Sequence, residues 1–368
     1  MSKKITNNRF TINKDGNDFK EEEIDDLSYL SESQREVVIE KAQMSVFELH
    51  RRYLREDIIL RPRYQRNDVW TNTKKAKLIE SVLRNIPIPS IYFSETQNGL
   101  YEVIDGQQRL ISFFDFLNGD YQLSQLPVLT KLNKKNFNDL DAPLKRKIED
   151  YQLQIFIVKK ESHEDIKFDI FQRINEGASK LNAQEIRNSM YRDNGIKEIK
   201  ELSKNRDFIK VVKGKVQNSR LKDQEAILRF ISFYFYGYEA YNGNLNSFLN
   251  KTLEENLLSS ENYKEINNLL SETMQIINEV FNEKAFMNPT STMRKINMSL
   301  YDIIMYSVAV NIDKKRVIVE NKELINHKLN ELCENDNDFI KSISSNTQTK
   351  GNVTYRFEVW LEEFTKIL

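Results

Sequence analysis

The chain has 368 residues, a length that predicts about two domains. Its 55 basic and 55 acidic residues balance, so a globally basic nucleic-acid binder is not indicated, while a local basic face stays open. With one cysteine and three histidines, a disulfide scaffold is excluded, and we expect no zinc, haem or flavin cofactor.

The N-terminal segment is polar, which predicts an arm rather than a membrane anchor. Residues 1–30 lack the apolar stretch of a signal peptide, and no run in the chain approaches the roughly 18 apolar residues of a membrane span. We therefore expect a cytoplasmic protein without a membrane partner. The pattern Ser31-x-x-Gln34 fits a capping box and predicts a helix to about Met44, so residues 1–44 are expected to form an arm and a helix.

Residues 45–190 alternate between short apolar runs and helical patterns, which is typical of a mixed α/β domain. Four strands are predicted, at 58–60, 90–93, 100–104 and 153–158. Six helices are predicted around them: 46–52, one opened by Thr73 and ended by Pro87, 107–117, 144–149, 162–174 and one opened by Asn182-x-x-Glu185.

The sequence from about residue 191 is helical almost throughout, with examples at 223–238, 245–258, 263–281 and 293–310. Ten glycines and six prolines are few for this length, and their scarcity agrees with long helices and few tight turns. The predicted fold class is therefore α+β. It combines a mixed α/β domain over 45–190 with an all-helical domain over 191–368.

The strongest local signal is the segment Asp105-Gly106-Gln107-Gln108-Arg109, between a predicted strand and a predicted helix. Gly106 lets the backbone approach a ligand, and the helix N-terminus that follows favours a phosphate. Arg109 suits a forked contact to phosphate oxygens, the two glutamines can orient water or phosphate, and Asp105 can hold a divalent cation or accept a proton. The alternative is a structural turn, in which Asp105 caps the helix and Arg109 pairs with a neighbouring carboxylate.

A second candidate segment lies upstream, after the predicted strand 58–60. Gln65 and Arg66 follow a bend stiffened by Pro62, and we expect both to reach phosphate groups of the same ligand. The alternative is that Arg66 is a charge exposed to solvent. Trp70 either stacks on a base or packs inside, and packing is the reading we favour.

A third candidate segment joins two predicted helices. Arg173 and Asn175 lie at the end of the first helix, and Arg187 lies about one turn into the second, so all three are candidate phosphate ligands. The alternative is a helix–turn–helix corner, in which Asn182 and Glu185 serve as caps.

A basic stretch in the helical region is a weaker candidate, for DNA binding. It contains Lys210, Lys213, Lys215, Arg220 and Lys222. Such charges can meet a nucleic-acid backbone, but short charged stretches more often face solvent.

Five motifs in a fixed order together carry more information than each one alone. They are Arg63-Tyr64-Gln65-Arg66 with Trp70, Ile86-Pro87-Ile88-Pro89, Ile104-Asp105-Gly106-Gln107-Gln108-Arg109-Leu110, Phe171-Gln172-Arg173-Ile174-Asn175, and Leu181-Asn182 with Glu185 and Arg187. In this order the chain resembles the N-terminal domain family of the GmrSD restriction endonucleases. The resemblance implies a ParB/sulfiredoxin-like fold that binds and hydrolyses a nucleoside triphosphate with Mg²⁺. It implies that Asp105, Gln107, Gln108 and Arg109 form the active motif, and Gln65 and Arg66 its upstream element.

The same resemblance implies a sensor or regulatory subunit of a prokaryotic antiviral defence system. The histidine-rich nuclease motif of full-length members is lacking, since the three histidines are scattered, so cleavage would require a separate nuclease subunit or an unrecognised site. Two alternatives stay open. One is a non-catalytic, nucleotide-gated module that binds DNA or protein, and the other is a DNA endonuclease that uses carboxylates such as Asp165, Asp169 and Glu185. A homo-oligomer is compatible with each of these readings.

Overall fold

A five-stranded mixed sheet organises the N-terminal region. The computed structural model describes residues 30–31, 36–60, 70–174, 182–191, 194–212, 221–291 and 295–368. The strands are β1 (Ile39–Ser45), β2 (Ile58–Ile59), β3 (Ile91–Glu95), β4 (Tyr101–Asp105) and β5 (Gln152–Val158), in the order β1-β5-β3-β4-β2. β1 and β5 pair antiparallel, as do β3 and β4, whereas β3 with β5 and β2 with β4 are parallel.

Six helices accompany this sheet: α1 (Val46–Leu54), α2 (Asn72–Leu83), α3 (Gln107–Leu117), α4 (Ala142–Glu149), α5 (Glu164–Ile174) and α6 (Ala183–Met190). Helices α1 to α4 share one core with the sheet, in which Phe93 and Val103 of the strands meet Phe113 of α3. A second core forms where Ile104 of β4 meets Phe171 of α5. The sheet therefore has helices on both faces, so both sets of strand side chains have apolar partners.

The rest of the described chain is helical: α7 (Ile196–Leu202), α8 (Arg206–Val212), α9 (Lys222–Tyr236), α10 (Leu245–Glu254), α11 (Ser260–Phe281), α12 (Met298–Val310), α13 (Lys315–Glu320), α14 (Lys322–Asn335), α15 (Asn337–Ser344) and α16 (Lys350–Ile367). Single 3₁₀ turns occur at Thr130–Leu132, Phe137–Asp139, Asn282–Lys284 and Ile312–Lys314. One large apolar core joins all ten helices and is separate from the cores of the sheet.

Three charged side chains are buried inside this helical core. Asp302 of α12 is 2% exposed, and Arg229 of α9 donates to both of its carboxylate oxygens. Arg356 of α16 approaches the same carboxylate at 3.4 Å. Because an unpaired buried charge is costly, these contacts fix how α9, α12 and α16 lie against each other.

The predicted fold class is confirmed, since a mixed sheet with helices precedes a helical region. The ParB/sulfiredoxin-like detail and the division into domains 1–44, 45–190 and 191–368 stay predictions. Within the part of the chain that the structure describes, no helix is both long enough and apolar enough to cross a membrane.

The helix predicted to end near Met44 is wrong, because that stretch is β1. Its residues pair one by one with β5, from Ile39 opposite Val158 to Ser45 opposite Gln152. The hydrogen bonds of this pairing come from a strand far downstream, and they outweigh the local pattern that suggested a helix. The sheet therefore begins before residue 45.

Several predicted helix starts also differ from the structure by a few residues, and capping side chains explain two of them. Thr71, not Thr73, is the N-cap of α2, because the Thr71 hydroxyl accepts a hydrogen bond from the backbone N–H of Lys74 at 3.3 Å. Helix α12 begins at Met298, five residues after the predicted start, because the side chain of Asn297 caps its first turn. Capping side chains fix both starts more sharply than apolar spacing does.

Candidate functional site

The predicted motif forms a turn between a central strand and a helix. We call Asp105, Gly106, Gln107, Gln108 and Arg109 the β4–α3 turn, because β4 ends at Asp105 and α3 begins at Gln107. The strand lies between β3 and β2, and the apolar face of α3 packs into the core on one side of the sheet. Strand β4 before the turn and helix α3 after it are both held by packing, so the turn between them has a fixed conformation.

A β-bulge lies immediately before this turn. In the register of β3 and β4, Tyr92 is opposite Asp105 and Phe93 is opposite Val103, so Ile104 is an extra residue on β4. A bulge bends the strand and changes the direction of the side chains beside it, and bulges are frequent next to active sites. Here the bulge sets the direction in which Asp105 leaves the sheet.

The backbone at Gly106 requires glycine. Its φ is +98°, in the left-handed region, and a Cβ built there would lie 2.4 Å from Cδ1 of Ile91. Gly106 is the N-cap of α3, and it has no side chain to accept a hydrogen bond from the first N–H groups of the helix. Those N–H groups and the positive end of the helix dipole suit an anionic group.

The largely buried side chain of Arg109 stabilises the turn through two hydrogen-bond partners. Its Nη1 donates to the backbone oxygen of Pro89 at 2.6 Å, and its Nη2 donates to the carboxylate of Asp105. The side chain of Arg109 is 11% exposed, whereas that of Asp105 is 41% exposed. The pairing of Arg109 with a neighbouring carboxylate, which was the structural alternative, is therefore present, and it leaves a fixed carboxylate partly open to solvent.

The start of α2 lies beside the start of α3. The backbone N–H of Trp70 donates to Oε1 of Gln108 at 3.3 Å, and Nζ of Lys74 lies 4.4 Å from the centre of the Trp70 ring. Further along both helices, Lys75 forms a buried ion pair with Asp115 at 2.7 Å. These contacts hold the start of α2 against α3, because Trp70 reaches the first turn of α3 and Lys75 reaches its last turn. Trp70 also packs against the core, as we favoured.

The end of α5 lies on the other face of the sheet, near the bulge. Phe171 of α5 and Ile104 of β4 belong to one apolar core, and Ile174 packs against it. The side chain of Arg173 is 70% exposed, and its Nε donates to Asp169 at 2.7 Å. The structure thus brings the helix end that carries Arg173 towards the β4–α3 turn.

Arg187 lies at a buried junction between α6 and the helical region. It is fully buried, and it donates to Oε1 of Gln184 at 3.1 Å, to Oδ1 of Asn246 at 2.5 Å and to Oδ1 of Asn250 at 3.1 Å. Its guanidinium also lies 5.5 Å from the ring centre of Phe168. This position favours a packing role, and contact between Arg187 and a phosphate stays a prediction.

The carboxylates considered for a nuclease each have a structural contact. Asp165 accepts a hydrogen bond from Nδ2 of Asn250 at 3.3 Å, and Asp169 accepts from Arg173. Glu185 accepts from the backbone N–H of Asn182 at 2.8 Å, in the predicted capping box. Within the described ranges, no group of three or more His, Cys, Asp or Glu residues comes together as metal ligands.

The described lysines of the basic stretch belong to the helical region. Lys210 of α8 lines a cavity of about 390 Å³ together with Lys322 of α14, and Lys222 is the first residue of α9. Six predicted site residues lie outside the described residues: Gln65, Arg66, Asn175, Lys213, Lys215 and Arg220. Binding of DNA by this stretch stays a prediction.

The fold and the turn together define a mixed α/β domain with a glycine-bearing strand–turn–helix element. The family model described as GmrSD restriction endonuclease, N-terminal domain, matches residues 46–192. The match confirms the resemblance of this part of the chain to that domain family and supports a restriction-system context. The matched span contains the whole β4–α3 turn and Arg173. No curated protein and no solved structure gives a match.

The sequence motifs do not predict the roles of two residues at the site. The backbone oxygen of Pro89 is an acceptor for Arg109, and Tyr92 is the residue opposite Asp105. Pro89 belongs to one of the motifs that carry the resemblance, which is a signal for its position but not for its partner. The position of Tyr92 opposite β4 could be inferred from the two neighbouring predicted strands, because a short turn between them favours an antiparallel hairpin.

Proposed function

We propose that residues 46–192 bind a nucleoside triphosphate with Mg²⁺ at the β4–α3 turn and hydrolyse it. We further propose that this turnover regulates a restriction-like antiviral system, in which a separate subunit cuts DNA. The observation that carries the proposal is the combination at one turn of a helix N-terminus without a capping side chain and a partly exposed carboxylate held by a buried arginine. The family match supports the restriction context.

The phosphates of the nucleotide would bind at the first turn of α3. Backbone N–H groups there offer hydrogen bonds. Because Gly106 has no Cβ, a ligand can approach these groups closely. Arg173 is a largely exposed cation on the neighbouring helix end, and it can contribute charge to the same ligand. Arg66 is expected to contribute in the same way from the upstream segment.

Asp105 fits a role in holding Mg²⁺. It offers hard carboxylate oxygens, it is partly exposed, and Arg109 fixes its direction. Bound Mg²⁺ prefers oxygen ligands, usually one or two carboxylates together with phosphates and waters, and it neutralises charge on the phosphate oxygens. Arg109 is in this scheme a positioning residue. Gln107 would orient the attacking water, and Gln108, whose Oε1 is held by Trp70, would donate to a phosphate oxygen.

The test uses the full chain with each of the four ribonucleoside triphosphates and Mg²⁺, measuring binding by calorimetry and turnover by phosphate release. Asp105→Asn is expected to lower the hydrolysis rate by about 100-fold, because it removes the charge that holds the cation. Arg316→Gln is the control, since Arg316 is 88% exposed on α13 in the helical region. Unchanged binding and turnover in Asp105→Asn would show that the site assignment is wrong.

A further inference from the structure

Two aromatic rings lie side by side on the sheet, next to the β4–α3 turn. Tyr92 of β3 and Phe156 of β5 are neighbours in the parallel register, and their ring centres are 5.1 Å apart with planes 15° apart. Tyr92 is also directly opposite Asp105. Directly opposite residues have their Cβ atoms about 4.5–5.5 Å apart, so Tyr92 lies beside the carboxylate residue of the proposed site while it also packs against the core that α5 shares with the sheet.

The surface around these rings is partly open. Lys41 of β1 is opposite Phe156 and is exposed, so the sheet face beyond Phe156 is accessible from the edge strand. On the same face, Nε2 of Gln43 donates to Oε1 of Gln154 at 3.5 Å. Tyr92 and Phe156 both keep part of their surface exposed, whereas Phe93 on the opposite face is fully buried.

We infer that Tyr92 and Phe156 form the wall against which the base of the nucleoside triphosphate lies; this inference rests on the proposed function. We call the two rings the aromatic wall. Neighbouring strands are about 4.8 Å apart, so the path from Asp105 on β4 across β3 to Phe156 on β5 covers about 10 Å. That span suits a ligand with its phosphates at the helix N-terminus and its base further along the sheet.

The chemistry of the wall fits a base. A nucleobase is flat and stacks on aromatic rings with little dependence on its identity. The amides of Gln43 and Gln154 add donors and acceptors beside the wall, which can contact the polar edge of the base. Lys41 adds a positive charge at the outer end of this path.

The experiment compares nucleoside triphosphates with inorganic tripolyphosphate, which has the phosphates but no base. Dissociation constants are measured with Mg²⁺ for the full chain and for Phe156→Leu and Tyr92→Leu, which keep apolar volume but lose the ring. We expect the wild type to bind nucleoside triphosphates more tightly than tripolyphosphate. Each variant should weaken nucleotide binding by about five-fold or more and leave tripolyphosphate binding unchanged.

Tyr53→Leu is the matched control. Tyr53 stacks on Phe114 with ring centres 4.9 Å apart and planes 15° apart, and both rings pack with the core on the other face of the sheet. This variant loses a similar stack in the same domain, so it should leave the affinities for both ligands unchanged. Melting temperatures of all variants report whether each one is folded.

The outcomes separate this inference from the proposed function. Equal affinity of the wild type for tripolyphosphate and every nucleoside triphosphate would overturn the inference but keep the phosphate site. A parallel loss of both ligands in Phe156→Leu would also overturn it, since the ring would then support only the fold. If the wild type binds neither ligand, the proposed function itself fails, and the aromatic wall has no ligand to contact.

Discussion

Gly106 and Gly99 illustrate how differently two glycines with positive φ depend on their surroundings. Both adopt the left-handed region, with φ of +98° and +76°, respectively. A Cβ at Gly99 would have no heavy atom within 4 Å, whereas one at Gly106 would overlap Ile91, which is fully buried. At Gly99, glycine is favoured only because φ is positive. At Gly106, glycine is favoured because φ is positive and because a Cβ would overlap Ile91.

This difference predicts how far a methyl group added at each glycine lowers the free energy of unfolding. Gly99→Ala should lower the free energy of unfolding by about 1 kcal/mol, which is the usual cost of a left-handed L residue. Gly106→Ala should lower it by about 2–4 kcal/mol, because overpacking against Ile91 is added. Urea denaturation of both variants measures the difference. Equal costs would mean that Ile91 moves aside freely.

At the residue scale, the sequence predicts the motif but not the partners of its side chains. For Arg109, a ligand and a neighbouring carboxylate are both chemically reasonable partners, and the choice depends on where Pro89 and Asp105 lie. For Arg187, the acceptors Asn246 and Asn250 come from 59 and 63 residues further along the chain. No local pattern encodes such contacts, so the predicted phosphate role rested on residue type alone.

At the scale of elements, α6 and α10 are joined by hydrogen bonds that centre on Arg187. Three amide oxygens accept from this one guanidinium, two of them from α10. Asp165 of α5 accepts from the Asn250 side chain as well, so α5 takes part in the same junction. Because α5 carries Arg173 and α6 follows the predicted ligand segment, the junction holds both helices of that segment against the helical region.

Arg187→Met tests how much this junction contributes to stability. Methionine keeps most of the apolar volume but leaves the three amide oxygens without their donor, so the free energy of unfolding should fall by about 2–4 kcal/mol. Arg316→Met is the control, because Arg316 is 88% exposed and pairs only on the surface with Glu320, and its loss should cost less than about 0.5 kcal/mol. Both values come from chemical denaturation. A similar small loss in the two variants would contradict the role of the junction.

Helix α3 and strand β1 show what the sequence can predict about elements. The bounds of α3 are those predicted, since its apolar spacing is regular and Gly106 marks its start. The capping-box pattern Ser31-x-x-Gln34 predicts a helix where β1 lies, and the mostly exposed residues of β1 lack the regular alternation that would indicate a strand. Its conformation depends on pairing with β5, which is information about the fold and not about the segment.

At the scale of the whole molecule, the apolar residues form separate cores in the sheet region and in the helical region. Met190, at the end of α6, packs against both the helical core and the smaller core of the sheet. The single cysteine, Cys333, is 1% exposed in the helical core. The reactivity of its thiol therefore reports the opening of the helical core and not the opening of the sheet cores.

Cys333 should react very slowly with thiol reagents in the native protein. Burial raises the pKa of its thiol to about 12, so at pH 8 little thiolate, the reactive form, is present. We expect alkylation at least about 100-fold slower in native buffer than in denaturant. Ser345→Cys adds an exposed thiol at the end of α15 and should be labelled quickly under native conditions. Fast labelling of Cys333 in native buffer would mean that α14 opens without global unfolding.

The position of β1 at the edge of the sheet has a consequence for how the chain folds while it is being synthesised. Ala42 of β1 meets Gln154 of β5 across 112 residues, whereas β3 and β4 are close in sequence and form a local hairpin. Short loops close at lower entropic cost, so the hairpin can assemble while the β1 stretch is still without its partner on the ribosome. During that interval the charges of Glu40 and Lys41 discourage a neighbouring nascent chain from adding to this strand.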